Sequence, residues 1–261
     1  MEYCLSKDIN KILYDEIKNY EPGAREHFKI NDAWYKNDFD YIGKCMRRTY
    51  WEMLNTQQSN EIGINAYRSS MLNKKIIEVE SSILSRIGKF NVYNIDFNNN
   101  ITVKDNIYTL NNLEYMLYRI KSTPIDNIEI PYPDDIVKVG LIFAITKINK
   151  IHLFYIHRGT YSTKEFILIY INGKIVVNNT VIGDIDTTQI LNNIGILYNY
   201  YKLKKIPPAC YNYYIGYNEI LNAYKIGKIS KQKCKKLRQA KMGGDYACEY
   251  CPYLSLCLKQ K

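Results

Sequence analysis

No hydrophobic run in the 261 residues approaches the length needed to span a bilayer, so a transmembrane helix is not expected. The opening stretch MEYCLSKDINK is charged and lacks the apolar core of a secretory signal, which favours a cytoplasmic protein with no membrane partner. Acidic residues are in deficit: 26 Asp and Glu stand against 36 Lys and Arg, for a formal charge of +10. That balance favours a polyanionic partner, with nucleic acid the first candidate. The seven cysteines are odd in number and come without a secretory signal, which makes a disulfide framework the weaker reading. The 26 tyrosines, with abundant Ile, Asn and Lys, match the bias of an AT-rich genome, so the aromatic content is discounted. What remains, 46% hydrophobic and 24% charged, can bury the core of one large domain with a small terminal appendage.

The cysteines are placed with more purpose than their number suggests. Cys45 lies in YIGKCMRRTYWE, and Cys248, Cys251 and Cys257 lie in CEYCPYLSLC near the other end. Two cysteines separated by two residues can put both thiolates on one metal or cluster, and Pro252 supplies the tight turn that lets a third join them. With Cys45 as the distant fourth ligand, the site becomes a clasp that closes a very long loop. Four thiolates suit zinc as well as iron and sulfide, and spacing alone does not separate them. Cys4, Cys210 and Cys234 are read as spectators.

Along the chain, a short helix is expected over residues 7–20, ending before Glu21, Pro22 and Gly23. From Asp38 to about Leu54, Tyr41, Cys45, Arg48, Trp51 and Leu54 recur at helical spacing, placing Cys45 on a helix with Lys44 and Arg47 to its side. A longer helix is expected from about Glu61 to Ile87, stopped by Gly88. Residues 90–122 then change period, and FNVYNIDF, DNIYTL and LEYMLYRIKS read as successive strands. After Pro131 and Pro133 a helix should begin near Asp134, with Asp134 or Asp135 at its N-terminus. The strands IHLFYIHRG and EFILIYIN follow, with an extension GKIVVNN, and then a helix from about Asp186 to Lys204 closed by Pro207 and Pro208. This order predicts a mixed α/β core rather than a repeat or a coiled coil. The stretch from Tyr224 to Met242 is rich in lysine and includes Lys235 and Lys236; it is either a solvated helix face or a phosphate-contacting strip, and its position beside the cysteines favours the second. Gly243 and Gly244 let the chain turn into the ligand loop.

The cysteine arrangement resembles the RecB-like branch of the PD-(D/E)XK nucleases, especially the CRISPR-associated iron-sulfur exonucleases. Cys45 with RRTYWE is similar to that family's early cysteine-arginine helix, and CEYCPYLSLC to its C-terminal three-cysteine signature. The resemblance spans roughly residue 38 to the end. It implies a restriction-endonuclease-like α/β core, a central mixed sheet flanked by helices, and a structural [4Fe-4S] cluster on Cys45, Cys248, Cys251 and Cys257, with zinc as the alternative. It divides the chain into an N-terminal extension (1–37), a nuclease-like core (38–228) and a basic tail carrying the three cysteines (229–261).

In that family an Asp on one strand and an ExK pattern on the next bind a divalent metal, Mg²⁺ or Mn²⁺, and orient water. The local match is VKDNIYTLNNLEYMLYRIKST, which puts Asp105 at the metal-binding Asp and Lys121 at the catalytic Lys. Tyr115, Leu117, Arg119 and Lys121 fall on one strand face. The ExK acid, however, is Arg119, which exchanges an anion for a cation beside the metal. The family's upstream His falls near Tyr67, and its Gln-x-x-x-Tyr helix on KVGLIFA, where Phe143 is the nearest echo; His27, His152 and His157 all lie elsewhere. Two readings follow. A migrated acid among Glu78, Glu80, Glu114 and Asp135 restores a metal-dependent DNA exonuclease acting on single strands or duplex ends. Alternatively, cleavage is lost and a DNA-binding module remains, with Arg119 and Lys121 meeting phosphates and Arg47, Arg48, Lys235 and Lys236 holding the backbone. The competing class is a non-enzymatic, zinc-stabilised nucleic-acid-binding or interaction protein.

Overall fold

The computed structural model describes residues 27–37, 41–56, 58, 64–86, 88–94, 103, 106–111, 114–121, 123–181 and 185–260. The expected helix over 7–20, Cys4 and Asp105 lie outside the described residues. A 3-10 turn at Ile30–Asp32 leads into a small antiparallel pair, β1 (Trp34–Lys36) and β2 (Tyr41–Gly43). Helix α1 (Met46–Met53) follows, then α2 (Ile64–Leu84). The sequence pattern had run the first helix back to Asp38. In the structure Gly43 stops it: its φ is +103°, and a Cβ there would stand 2.4 Å from the Ala33 carbonyl oxygen, so the chain passes through β2 before Cys45 caps α1.

Strands β3 (Phe90–Asn94), β4 (Asn106–Leu110) and β5 (Glu114–Lys121) form the expected meander, helix α3 (Pro133–Ile145) crosses over, and β6 (Lys150–His157) returns parallel to β5. Strands β7 (Thr163–Ile171), β8 (Lys174–Val177) and β9 (Thr180–Val181) complete a seven-stranded mixed sheet in simple sequential order. Asn172 and Gly173, both at positive φ, make the two-residue hairpin between β7 and β8. Helix α4 (Thr187–Lys202) starts where Asp186 accepts hydrogen bonds from the Thr188 and Gln189 amides.

One face of the sheet, through Leu117, Leu153, Tyr155, Phe166 and Leu168, buries against α3 and α4. Met116, Tyr118 and Ile156 on the opposite face pack with Ile76 of α2. The alternation expected along β5 is therefore real: Leu117 faces α3, while Met116 and Tyr118 point away. Phe28, Ile30 and Trp34 from the first 37 residues share the main core, as does Tyr253 from the last. Among the described residues no helix is long and apolar enough to cross a membrane.

The C-terminal part contains β10 (Tyr213–Ile215), α5 (Gly216–Lys225), α6 (Lys231–Ala240), β11 (Met242–Gly244), α7 (Tyr246–Glu249) and α8 (Leu254–Leu258). Strands β10 and β11 pair antiparallel, so Gly243 and Gly244 form a short strand where a turn was expected. A Cβ on Gly244 would lie 2.2 Å from the Asn212 carbonyl oxygen, which is why this crossing requires glycine. Tyr214, Ile220, Ala223, Ile229, Cys234 and Leu237 make a second, smaller core in which α5 packs on α6, so the division expected at residue 228 runs through this hairpin.

Candidate functional site

Two clusters carry chemistry. The first is built on α1. Cys45 is its N-cap, preceding the helix rather than lying within it. The loop below is fixed by buried Asp32, whose carboxylate accepts from the Lys29 amide at 2.8 Å, Lys44 Nζ at 3.0 Å and Thr49 Oγ1 at 3.3 Å. The C-terminal segment docks on the same helix: the Tyr253 ring lies 5.5 Å from Trp51, and Arg47 Nη1 donates to Cys257 Sγ at 3.2 Å. Arg47 also donates through Nε to the Pro207 carbonyl at 2.9 Å. Its guanidinium is thus engaged inside the protein and braces the cysteine segment. Arg48, half-exposed, pairs with Glu52 at 2.9 Å.

The expected cysteines share one electrostatic neighbourhood. Burial pushes the Cys248 thiol up to about 12, reinforced by Cys45, Asp245, Cys251 and Cys257. Burial also raises Cys251, and Cys45 and Cys257 act in the same direction. Cys45 moves the other way, held down chiefly by a hydrogen bond from the Cys210 thiol against the opposing effect of burial, with the helix-start amides of Arg48 and Arg47 favouring the thiolate. Cys210, which the spacing gave no reason to include, also accepts from the Met46 amide at 3.4 Å. No three Cys, His, Asp or Glu side chains among the described residues close on a single-ion site.

The second cluster lies where β5 meets the start of α3. Pro133 opens that helix, and the carboxylate of Asp135 in its first turn is buried. Asp135 Oδ1 accepts from Arg119 Nε at 3.0 Å and Lys138 Nζ at 3.1 Å; Oδ2 accepts from Lys121 Nζ at 2.6 Å and Tyr155 Oη at 2.9 Å. Burial alone would raise this carboxyl, but Lys138, Arg119 and Lys121 outweigh it and hold the group well below the usual carboxylate range. Burial and the Asp135 charge push the Tyr155 phenol up, so it stays a donor. Lys121 sits between the Tyr132 and Tyr155 rings, 4.4 and 4.3 Å from their centres. Arg119 Nη2 is buried without a hydrogen-bond partner among the described residues.

Of the four carboxylates considered as migrated acids, Asp135 is the one that meets Arg119 and Lys121. Glu78 is exposed on α2 and pairs with Lys75 at 2.6 Å, and Glu114 is exposed at the start of β5. Tyr67 belongs to α2 and Phe143 to the buried side of α3. Lys235 and Lys236 lie exposed on α6. His152 pairs with Glu165 at 2.5 Å, and His157, opposite Lys121 in the β5–β6 register, accepts from the Thr160 amide at 3.1 Å.

The architecture is that of a mixed α/β protein with a central mixed sheet flanked by helices. No protein-family model matches the chain, and no curated protein matches it. The solved structure of SSO0001 aligns at 13% identity with a TM-score of 0.42, covering 79% of this chain and 90% of that one. A likeness that distant carries no argument.

Proposed function

We propose that this chain is a DNA-binding protein of the RecB-like nuclease type that has lost metal-dependent cleavage, with Cys45, Cys248, Cys251 and Cys257 holding a [4Fe-4S] cluster as a structural clasp. The observation that carries the loss of cleavage is the saturation of Asp135 by Arg119, Lys121, Lys138 and Tyr155, all within 3.1 Å. A divalent ion sharing that carboxylate would meet three cations at once. At an effective dielectric of about 20, two unit charges about 4 Å apart repel by about 4 kcal/mol, and a divalent ion doubles this for each cation it faces. Arg119, Lys121 and Lys138, each less than one-fifth exposed, are the cations at this end of β5 that a phosphate oxygen would meet.

Support for the clasp comes from the donor set and its setting. Four cysteines, one at a helix N-terminus and one accepting from Arg47, are the donor type that an anionic group bound through sulfur would use. When bound, an iron-sulfur cluster supplies cross-linking iron-thiolate bonds. The protein's own contribution is positional: α1 fixes Cys45, Trp51 seats Tyr253, and Arg47 steadies Cys257.

The test uses anaerobically purified full-length protein, read by absorption, by binding to labelled single-stranded and duplex DNA, and by cleavage with Mn²⁺ or Mg²⁺. The expected result is iron-sulfur absorption near about 400 nm, DNA binding, and no cleavage. Cleavage abolished by Asp135→Ala or Lys121→Ala would overturn the loss of activity. Stoichiometric zinc without iron would overturn the cluster, and absence of DNA binding would sink the partner.

A further inference from the structure

The hairpin of α5 and α6 turns its inner faces to the small core, and between its outer faces it leaves an open groove of about 930 Å³. Tyr217, Leu221 and Tyr224 of α5 line it with Lys231, Lys235 and Arg238 of α6. Among the described residues lining the groove none is acidic. Tyr217 and Tyr224 are 48% and 39% exposed, well above what core tyrosines show. Arg238 already lies over the Tyr217 ring, its guanidinium carbon 4.6 Å from the centre.

Resting on the DNA-binding reading above, we infer that this groove takes a segment of single-stranded DNA, with bases against Tyr217 and Tyr224 and phosphates on Lys231, Lys235 and Arg238. Flat aromatic faces flanked by cations are what an unstacked strand uses: every base has a face to stack, and the backbone supplies a negative charge at each step. A duplex keeps its bases stacked on each other and can engage only the cations. Gln232, Cys234 and Gln239 complete the lining, and its charged groups, Lys231, Lys235 and Arg238, are all cationic, which suits an anionic occupant with flat apolar faces. The serine N-cap of α6, where Ser230 accepts from the Lys233 amide at 3.2 Å, fixes the start of the helix that carries Lys231 and Lys235. The sequence marked this stretch for its lysines alone; the tyrosines that make the site selective come from the preceding helix.

The experiment is fluorescence anisotropy of the full chain with a labelled oligothymidylate and with a blunt duplex, for wild type and the Tyr217→Ala/Tyr224→Ala double variant. Circular dichroism and thermal midpoint establish that each is folded. Loss of two stacked bases, at about fivefold or more each, predicts single-strand binding weakened on the order of 30-fold or more. Duplex binding should stay within about twofold, and Tyr217→Phe/Tyr224→Phe should retain single-strand binding. Wild-type binding that the alanine variant matches would overturn the groove while leaving the DNA reading intact. A wild type that binds neither DNA would instead overturn that reading. Equal competition by polyglutamate would overturn the strand in favour of an acidic protein partner.

Discussion

Removing the Asp135 carboxylate while leaving its donors in place is the sharpest perturbation this structure offers. Asp135 is 1% exposed, and the side chains it holds, Arg119, Lys121 and Lys138, are 19%, 18% and 14% exposed. Asp135→Ala strands Arg119 and Lys121 beside a buried void, leaves Lys138 with its Asp134 pair at 2.9 Å, and takes the acceptor from the Tyr155 hydroxyl. Breaking a buried ion pair from one side costs about 3–5 kcal/mol, chiefly because charge is left uncompensated. For a chain of this size, about 2–4 °C per kcal/mol converts this into a fall of about 6–20 °C in Tm. Calorimetry or a urea melt reads it, provided the urea slope is unchanged. The partner variant Arg119→Met removes one stranded cation, so the Asp135→Ala cost measured in that background should fall by about 1–3 kcal/mol. A single-variant loss below about 1 kcal/mol, or strictly additive variants, would refute the account of Asp135 as the charge centre of β5 and α3.

Two further outcomes follow from the same geometry. Because the folded carboxyl of Asp135 sits below its ordinary value of 3.8, its contribution is present above that pH and is lost as pH falls toward the folded value. Stability measured from about pH 5 down to about pH 2 should therefore decline less steeply in Asp135→Asn than in wild type; parallel declines would contradict this. Gly43→Ala should cost about 1–3 kcal/mol through its φ of +103° and the contact with the Ala33 carbonyl, read as a lowered Tm; an unchanged Tm would show that β2 reshapes freely.

The parts of this molecule that were legible in its sequence are those with a period or a repeated chemical type. The meander from Phe90 to Lys121 and the crossover helix after Pro133 announced themselves through alternation and proline placement. Arg119, Lys121 and Asp135 were all visible as candidates, but that one carboxylate would take both cations depends on the parallel pairing of β5 with β6, which brings Tyr155 opposite Arg119. Local spacing carries no record of that register. Cys210 was passed over because it stands alone after two prolines, and only the packing of residues 207–211 on α1 puts its thiol beside Cys45. Strands as short as β10 and β11, three residues each, are too brief to show a period.

The docking of the last helical turns on α1 also orders events during synthesis. Arg47 and Cys257 are 210 residues apart, so at about 5–20 residues per second a ribosome takes about 10–40 s to deliver the second after the first. Throughout that interval Trp51 of α1 lacks the Tyr253 ring against which it packs. A single aromatic contact thus joins segments made far apart in time. A chain cut before Tyr253 lacks that ring on Trp51 even when its sheet is fully formed.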